Sequence, residues 1–317
     1  MIKTKKEITN RGQKLPYFFG LFWGVFSLIV IILSFNFAAT AQDNPPDSLL
    51  TDTVRAAEPD SLPVFRDLNR IVPNEAFRVG EKLSFVVRYG FLHAGTALME
   101  VKEVVPIRNR KAYRIVSTAQ SNRTFDFIFK VRDRVESYLD TAGLFSWKFV
   151  KMLREGGYKF DLLVDYDQHY GKAYVQAIRY YDEEPLRVKK NEVLTVDIPP
   201  YVLDILSSFY YVRTQNLRIG DPIYLSNHDN KQVYDLKVLI QTREIVQVKA
   251  GKFRCIKVQP VLKGEAIFKQ EGKLWVWLTD DQYKIPVQMK SAVFIGSITT
   301  ELTKIEGVKL PLPSQIE

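Results

Sequence analysis

Three histidines, one cysteine and a few close pairs of carboxylates are the residues of this chain that could do chemistry. His93, His169 and His228 stand far apart, and none lies three or four residues from another, so no helical zinc pair exists. Each sits near a turn signal, which predicts an exposed imidazole. Cys255 lies in the run Phe253–Val258 on the parity of Phe253, which predicts a buried, inert thiol. No G-x-S-x-G occurs, so Ser207 and Ser208 are read as surface or packing residues of a helix. Asp280-Asp281 follows the run LWVWL. Neighbouring strand residues point to opposite faces, so this pair is expected to cap backbone N–H groups in a turn rather than to act as acid and base. Asp165 and Asp167 lack the glycine and glutamate of a calcium loop. Lys189-Lys190 is a short solvated basic step. No glycine-rich phosphate loop is present. The sequence therefore nominates no catalytic residue, no metal site and no cofactor.

The elements that would position such residues are mostly strands. Lys82–Tyr89 places Phe85, Val87 and Tyr89 on one face. Thr96–Val105, Lys111–Ser117, Arg134–Leu139, Leu144–Leu153 and Tyr158–Asp165 continue the series. In the C-terminal half, Tyr234, Leu236, Val238 and Ile240 alternate with polar neighbours. Phe253–Leu262, Lys273–Leu278, Pro286–Phe294 and Ser297–Ile305 follow, separated by glycine turns. One segment breaks the period. After Pro199-Pro200, the residues Val202, Ile205, Leu206, Phe209 and Val212 have helical spacing, which predicts an amphipathic helix of about three turns entered through the prolines. Trp275 and Trp277 fall on one face of their strand and Leu274, Val276 and Leu278 on the other. A strand apolar on both faces must be covered twice.

The first 41 residues are a leader. A basic start precedes an apolar run from Tyr17 to Leu33, and Ala39-Thr40-Ala41 before Gln42 has the small-x-small form of a signal peptidase site. The apolar run approaches the ~20 residues of a membrane span, so an uncleaved anchor is the alternative. Either way, positive charge stays inside and the rest of the chain is translocated. Lys3, Lys5, Lys6, Arg11 and Lys14 against Glu7 account for +4 of the net +9, and the modest remainder argues against nucleic acid. Residues 42–65 are acidic and proline-rich and read as a disordered tether, with the linker drawn to residue 72 and a β-rich domain over 73–313. The single cysteine forbids an intrachain disulfide.

Several segments carry a resemblance. VGEKLSFVVRYGFLHAGTALMEV (79–101) resembles the opening signature of a bacterial exported family known only as a domain of unknown function. DILSSFYYVR (204–213) resembles its helix motif, and GKFRCIKVQP (251–260) and LWVWLTDDQYKIPV (274–287) resemble its C-terminal strands. The resemblance implies a periplasmic or envelope location and a β-rich fold, and supplies no activity, cofactor or catalytic residue. Asp204 and Arg213 are nine residues apart and do not pair with each other. Each is expected to anchor the helix to the sheet.

The expected architecture is mainly β: a single antiparallel, strongly curved sheet, half-barrel or barrel-like, with one amphipathic helix packed on it. The leading functional expectation is a non-catalytic envelope protein that binds or carries a lipid or other amphipathic component, with Tyr89, Trp275, Trp277 and Phe209 as candidate ligand contacts. An accessory protein that binds another envelope protein, and a cell-wall hydrolase using carboxylates, are the alternatives. No nucleic-acid partner is expected, and membrane contact is expected only through residues 15–39 if the leader stays uncut after Ala41.

Overall fold

The computed structural model describes residues 65–229, 231–262, 273–292 and 296–317. The leader, the cleavage position Ala41/Gln42 and most of the tether lie outside the described residues. Among these residues no helix is long and apolar enough to cross a membrane.

Eight strands form the first half: β1 (Lys82–Tyr89), β2 (Leu92–Ile107), β3 (Arg110–Ser121), β4 (Arg132–Asp140), β5 (Ser146–Glu155), β6 (Tyr158–Asp167), β7 (Lys172–Tyr180) and β8 (Val188–Asp197). A one-turn helix α1 (Arg123–Asp126) sits between β3 and β4, and α2 (Ile205–Thr214) follows β8. The second half holds β9 (Ile223–Asp229), β10 (Gln232–Val248), β11 (Gly251–Leu262), β12 (Leu274–Thr279), β13 (Pro286–Ala292), β14 (Ser297–Glu306) and the short β15 (Gln315–Ile316). All join one antiparallel sheet in the order β8 to β1, then β14 to β9, with β15 on β11. Each half is a simple meander, and β14 against β1 welds the two.

The sheet is open between β8 and β9, which share no ladder, yet it rolls far enough to bring those edges together through side chains. Lys151 of β5 meets Asp229 of β9 at 2.9 Å, and Lys231 reaches Glu192 of β8 at 3.1 Å. The roll encloses one large apolar core drawn from both halves, including Leu83, Phe85, Ile115, Phe149, Val164, Phe253, Val276 and Leu302. Gly95 in β2 permits close pairing with β3, because a Cβ there would collide with the carbonyl of Gln120.

The up-and-down order sorts the turns onto two ends. One end is closed. The α2 helix lies across it inside the roll, with its first turn on β4 and β5 and its last turn at the start of β1 and the β12–β13 turn. Its cap is Asp204, so Pro199 and Pro200 precede the helix instead of entering it, and Leu203 makes a parallel bridge to Asn227 of β9. The helix is also less one-sided than its spacing predicts. Ser207, Ser208 and Arg213 are buried along with Leu206, Tyr210 and Val212, because the sheet surrounds it.

The strap at this end shortens the expected linker. Residues 65–72 lie extended against the domain. Arg66 N–H donates to His169 O, Arg70 donates to the carbonyls of Gly143 and Leu144, and Leu68 is buried with Ala112, Phe145 and Trp147. At the other terminus the structure runs past residue 313, since Ser314 is buried and Gln315 pairs with Phe253.

Candidate functional site

Toward the opposite end the inner face of the sheet changes character, and its side chains there are buried or half-buried. Alternation fixes which residues look inward. From the closed end outward, the inner face runs through Ala173, Val175, Val164, Leu162 and Phe149, with Val196 and Leu194 on β8. Toward the opposite end the same parity holds Asp133, Lys151, Glu155, Tyr158, Arg179 and Glu192. The registers Val135↔Lys151, Glu155↔Tyr158, Phe160↔Arg179 and Ala177↔Glu192 put them on one surface. Asp229 reaches Lys151 from β9, and its neighbour His228 lies deeper, against Tyr166 and the Leu203 backbone at the start of α2.

Each group is placed by its strand, and burial sets its charge. Asp133 is 4% exposed, and its Oδ1 accepts the Arg154 N–H at 2.8 Å. Its Oδ2 finds no N–H or O–H donor. Burial first, and then the neighbouring Glu155 carboxyl, push Asp133 up to about 8. His228 stacks edge-on against Tyr166, whose hydroxyl lies 3.2 Å from Nδ1, and Nε2 has no partner. Burial pushes this imidazole down to about 4, so it is neutral. The expectation of an exposed histidine fails here because the β9 edge is folded against β6. Lys151 is 3% exposed in its side chain and lies 2.9 Å from Asp229. The Arg179 guanidinium lies 3.6 Å over the Tyr158 ring, and burial lowers its pKa.

The closed end treats its ionisable groups differently. Asp204 accepts from the hydroxyls of Ser137, Ser146 and Ser207 and from the Ser207 N–H, at 2.5–2.9 Å. Arg213 forms a two-pronged pair with Glu81, 2.7 Å on each prong, and donates to the carbonyls of Ala76 and Tyr283. The two helix anchors expected from sequence are thus present, one at each end of α2. Asp281 accepts from the N–H groups of Tyr283, Lys284 and Ser314, and Asp280 pairs with Arg243, which are turn and surface roles. Cys255 is buried, and burial pushes its thiol up to about 12.

The four candidate ligand contacts lie on three elements. Tyr89 ends β1, Phe209 is half-buried on α2 against Tyr210, and Trp275 and Trp277 share one face of β12. Lys257, Gln288 and Lys290 stand across from the tryptophans, and the Trp277 indole donates to Glu244 at 2.7 Å. Asp133, Lys151, Glu155, Arg179 and His228 carried no motif. One signal was readable: Lys151 and Glu155 stand on the parity of Phe149 and Leu153, as Asp133 stands on that of Val135. Among the described residues no three His, Cys, Asp or Glu side chains converge on a possible metal position.

Residues 84–303 match DUF3108, described as a protein of unknown function. The chain belongs to this family. The exported family suggested by the motifs and the β-rich architecture agree with that match. No curated protein matches. Among solved structures, the chain is similar to a beta-barrel-like protein of the domain of unknown function DUF1849 from Brucella abortus, at 10% identity and TM-score 0.46, covering 76% of this chain and 99% of that one. It is also similar to a candidate lipoprotein from Parabacteroides distasonis, at 10% identity and TM-score 0.33, covering 75% and 99%. A candidate exported protein with a YmcC-like fold from Bacteroides fragilis matches at 14% identity and TM-score 0.26, covering 74% and 98%.

Proposed function

We propose that this is an exported, non-catalytic envelope protein whose end opposite α2 binds the polar part of an amphipathic ligand. The reading rests on one observation: the inner face of β4–β8 passes from apolar to ionisable along its length. A core built only for stability gains nothing from buried charge, because removing an ion from water costs several kcal/mol. Such groups placed toward one end can instead meet a ligand's headgroup, while the apolar depth receives or excludes its chain. Lys151, paired with Asp229, and Arg179, over the Tyr158 ring and bonded to Lys159 O, are the cations of this face that an anionic group would meet in exchange for those partners. The basic leader, the apolar run and the site before Gln42 support export.

Native mass spectrometry of the protein purified gently from an envelope fraction tests both parts. The expected result is a polypeptide mass beginning at Gln42 that carries a bound amphiphile. Arg179→Met is expected to weaken binding of that ligand while retaining the thermal transition. A protein that never carries a ligand, or a variant that carries it as well, ends the reading.

A further inference from the structure

The rim of the end opposite α2 carries side chains that the core does not use. Phe91 and Leu92, in the β1–β2 turn, are 88% and 44% exposed. Phe127 and Ile128, just after α1, are 94% and 55% exposed. Packing does not account for them, since Phe125 and Phe129 on either side are the ones turned into the core.

The two turns form one rigid edge. The Asn122 side chain donates to His93 O at 2.5 Å, and its N–H donates to Ala94 O. The Asn122 Oδ1 caps α1 through the Phe125 N–H, and Asp126 is bound by Ser121 and Arg132. Exposed aromatics are therefore held out on a fixed base.

The charge around them has one sign. Arg123 and Lys130 are exposed, and Arg132 and Arg88 stand nearby. The local acids are already bound: Asp126 by Arg132, and Glu301 by Arg88. Among the described residues, Asp133 and Glu155 at this end are buried, and the exposed acids Asp182 to Glu184 belong to the β7–β8 turn, two hairpins away along the sheet.

We propose that this edge docks the domain on an anionic membrane surface. Phe91, Leu92, Phe127 and Ile128 enter the headgroup–acyl boundary, and Arg123 and Lys130 lie against lipid phosphates. Apolar tips beside unpaired positive charge complement an anionic bilayer, and an apolar protein partner would leave that charge unmet. The edge lies about 30 Å from the strap at residues 65–72, taking about 3.3 Å per strand residue. Docking and tethering therefore use opposite ends, and this contact is separate from the one expected of residues 15–39.

The test uses the full chain with a reporter at a single position, so that lipid contact by the leader does not confuse it. Cys255 is buried and stays unlabelled. Phe127→Cys carries an environment-sensitive dye. Ile245→Cys, 62% exposed toward the closed end, carries the same dye as a control. With vesicles of phosphatidylethanolamine and phosphatidylglycerol, the dye at 127 is expected to shift to the blue and brighten severalfold, and the dye at 245 to stay unchanged. Phe91→Ser is expected to weaken the apparent lipid affinity of this reporter roughly tenfold. Arg123→Gln with Lys130→Gln is expected to weaken it by a similar factor and to flatten its salt dependence. No response at 127, equal responses at both positions, or a response to envelope proteins but not to pure lipid overturns the proposal.

Discussion

Buried ionisable groups at the two ends of the rolled sheet respond to burial according to the charged partners they are given. At the closed end, burial works against the charge of Arg213, but Glu81 holds the guanidinium above its ordinary value. Burial likewise opposes Asp140, yet two hydrogen bonds from Arg110, the Gly143 N–H and the Trp147 indole keep its carboxyl below the usual range. Asp204, at the same end, has only hydroxyl and N–H partners, and burial raises its carboxyl as it raises Asp133 toward the opposite end. His228, buried against Tyr166, is lowered to about 4. The difference is one of supplied charged partners, since desolvation opposes the charged form of every one of these groups.

The comparison breaks most visibly at the closed end. Arg213→Met is expected to cost about 3–5 kcal/mol in urea unfolding, because Glu81 would be left charged and unpaired in the interior. A loss below about 1 kcal/mol would mean that the pairing there does not hold the helix.

Stability is expected to answer to pH through Asp133 and His228. Folding raises the Asp133 pKa from near 4 to about 8, so its contribution is full below pH 4 and is lost as pH rises toward 8. Folding lowers the His228 pKa from 6.5 to about 4, so its contribution is full above pH 6.5 and is lost as pH falls toward 4. The two slopes oppose each other between pH 4 and 6.5, and only that of Asp133 remains from 6.5 to 8. Melting curves across this range should show Asp133→Asn removing the alkaline decline, on the order of 2 kcal/mol between pH 5 and 8. His228→Gln should steepen the decline below pH 6.5. A variant pair with the wild-type profile would show that neither group is neutralised by folding.

The smallest effect on stability is expected at the rim. Phe91→Ser and Phe127→Ser should change unfolding free energy by less than about 0.5 kcal/mol, since neither ring is packed. A larger loss would place these rings in the core and remove the ground for a docking edge.

Much of the sheet was legible from alternation. The runs around Phe85, Phe149, Leu162, Val238, Val258, Val276 and Leu302 each give a strand where the apolar period of two predicts one. The three strands that this period did not reveal are β7, β8 and β9. In β7, Ala173 and Ala177 weaken the inward set. β8 (VKKNEVLTVD) is mostly exposed, and β9 (IYLSNHD) ends in polar residues. These strands flank the seam between β8 and β9, and their small, exposed or polar residues weaken the alternation on which the period depends.

The sequence by itself determined the period of the strands, the turns between them, the two anchors of the helix and the inert character of Cys255. Each follows from local geometry or from a side chain's own chemistry. Only the tertiary structure decided that the sheet rolls until β9 meets β5, β6 and β8, that α2 plugs one end, and that Asp133, Lys151, Glu155 and Arg179 share the inner face of β4–β7. Those contacts join residues far apart in the chain, so their burial, and with it their charge, is a property of the closed roll and of no segment alone.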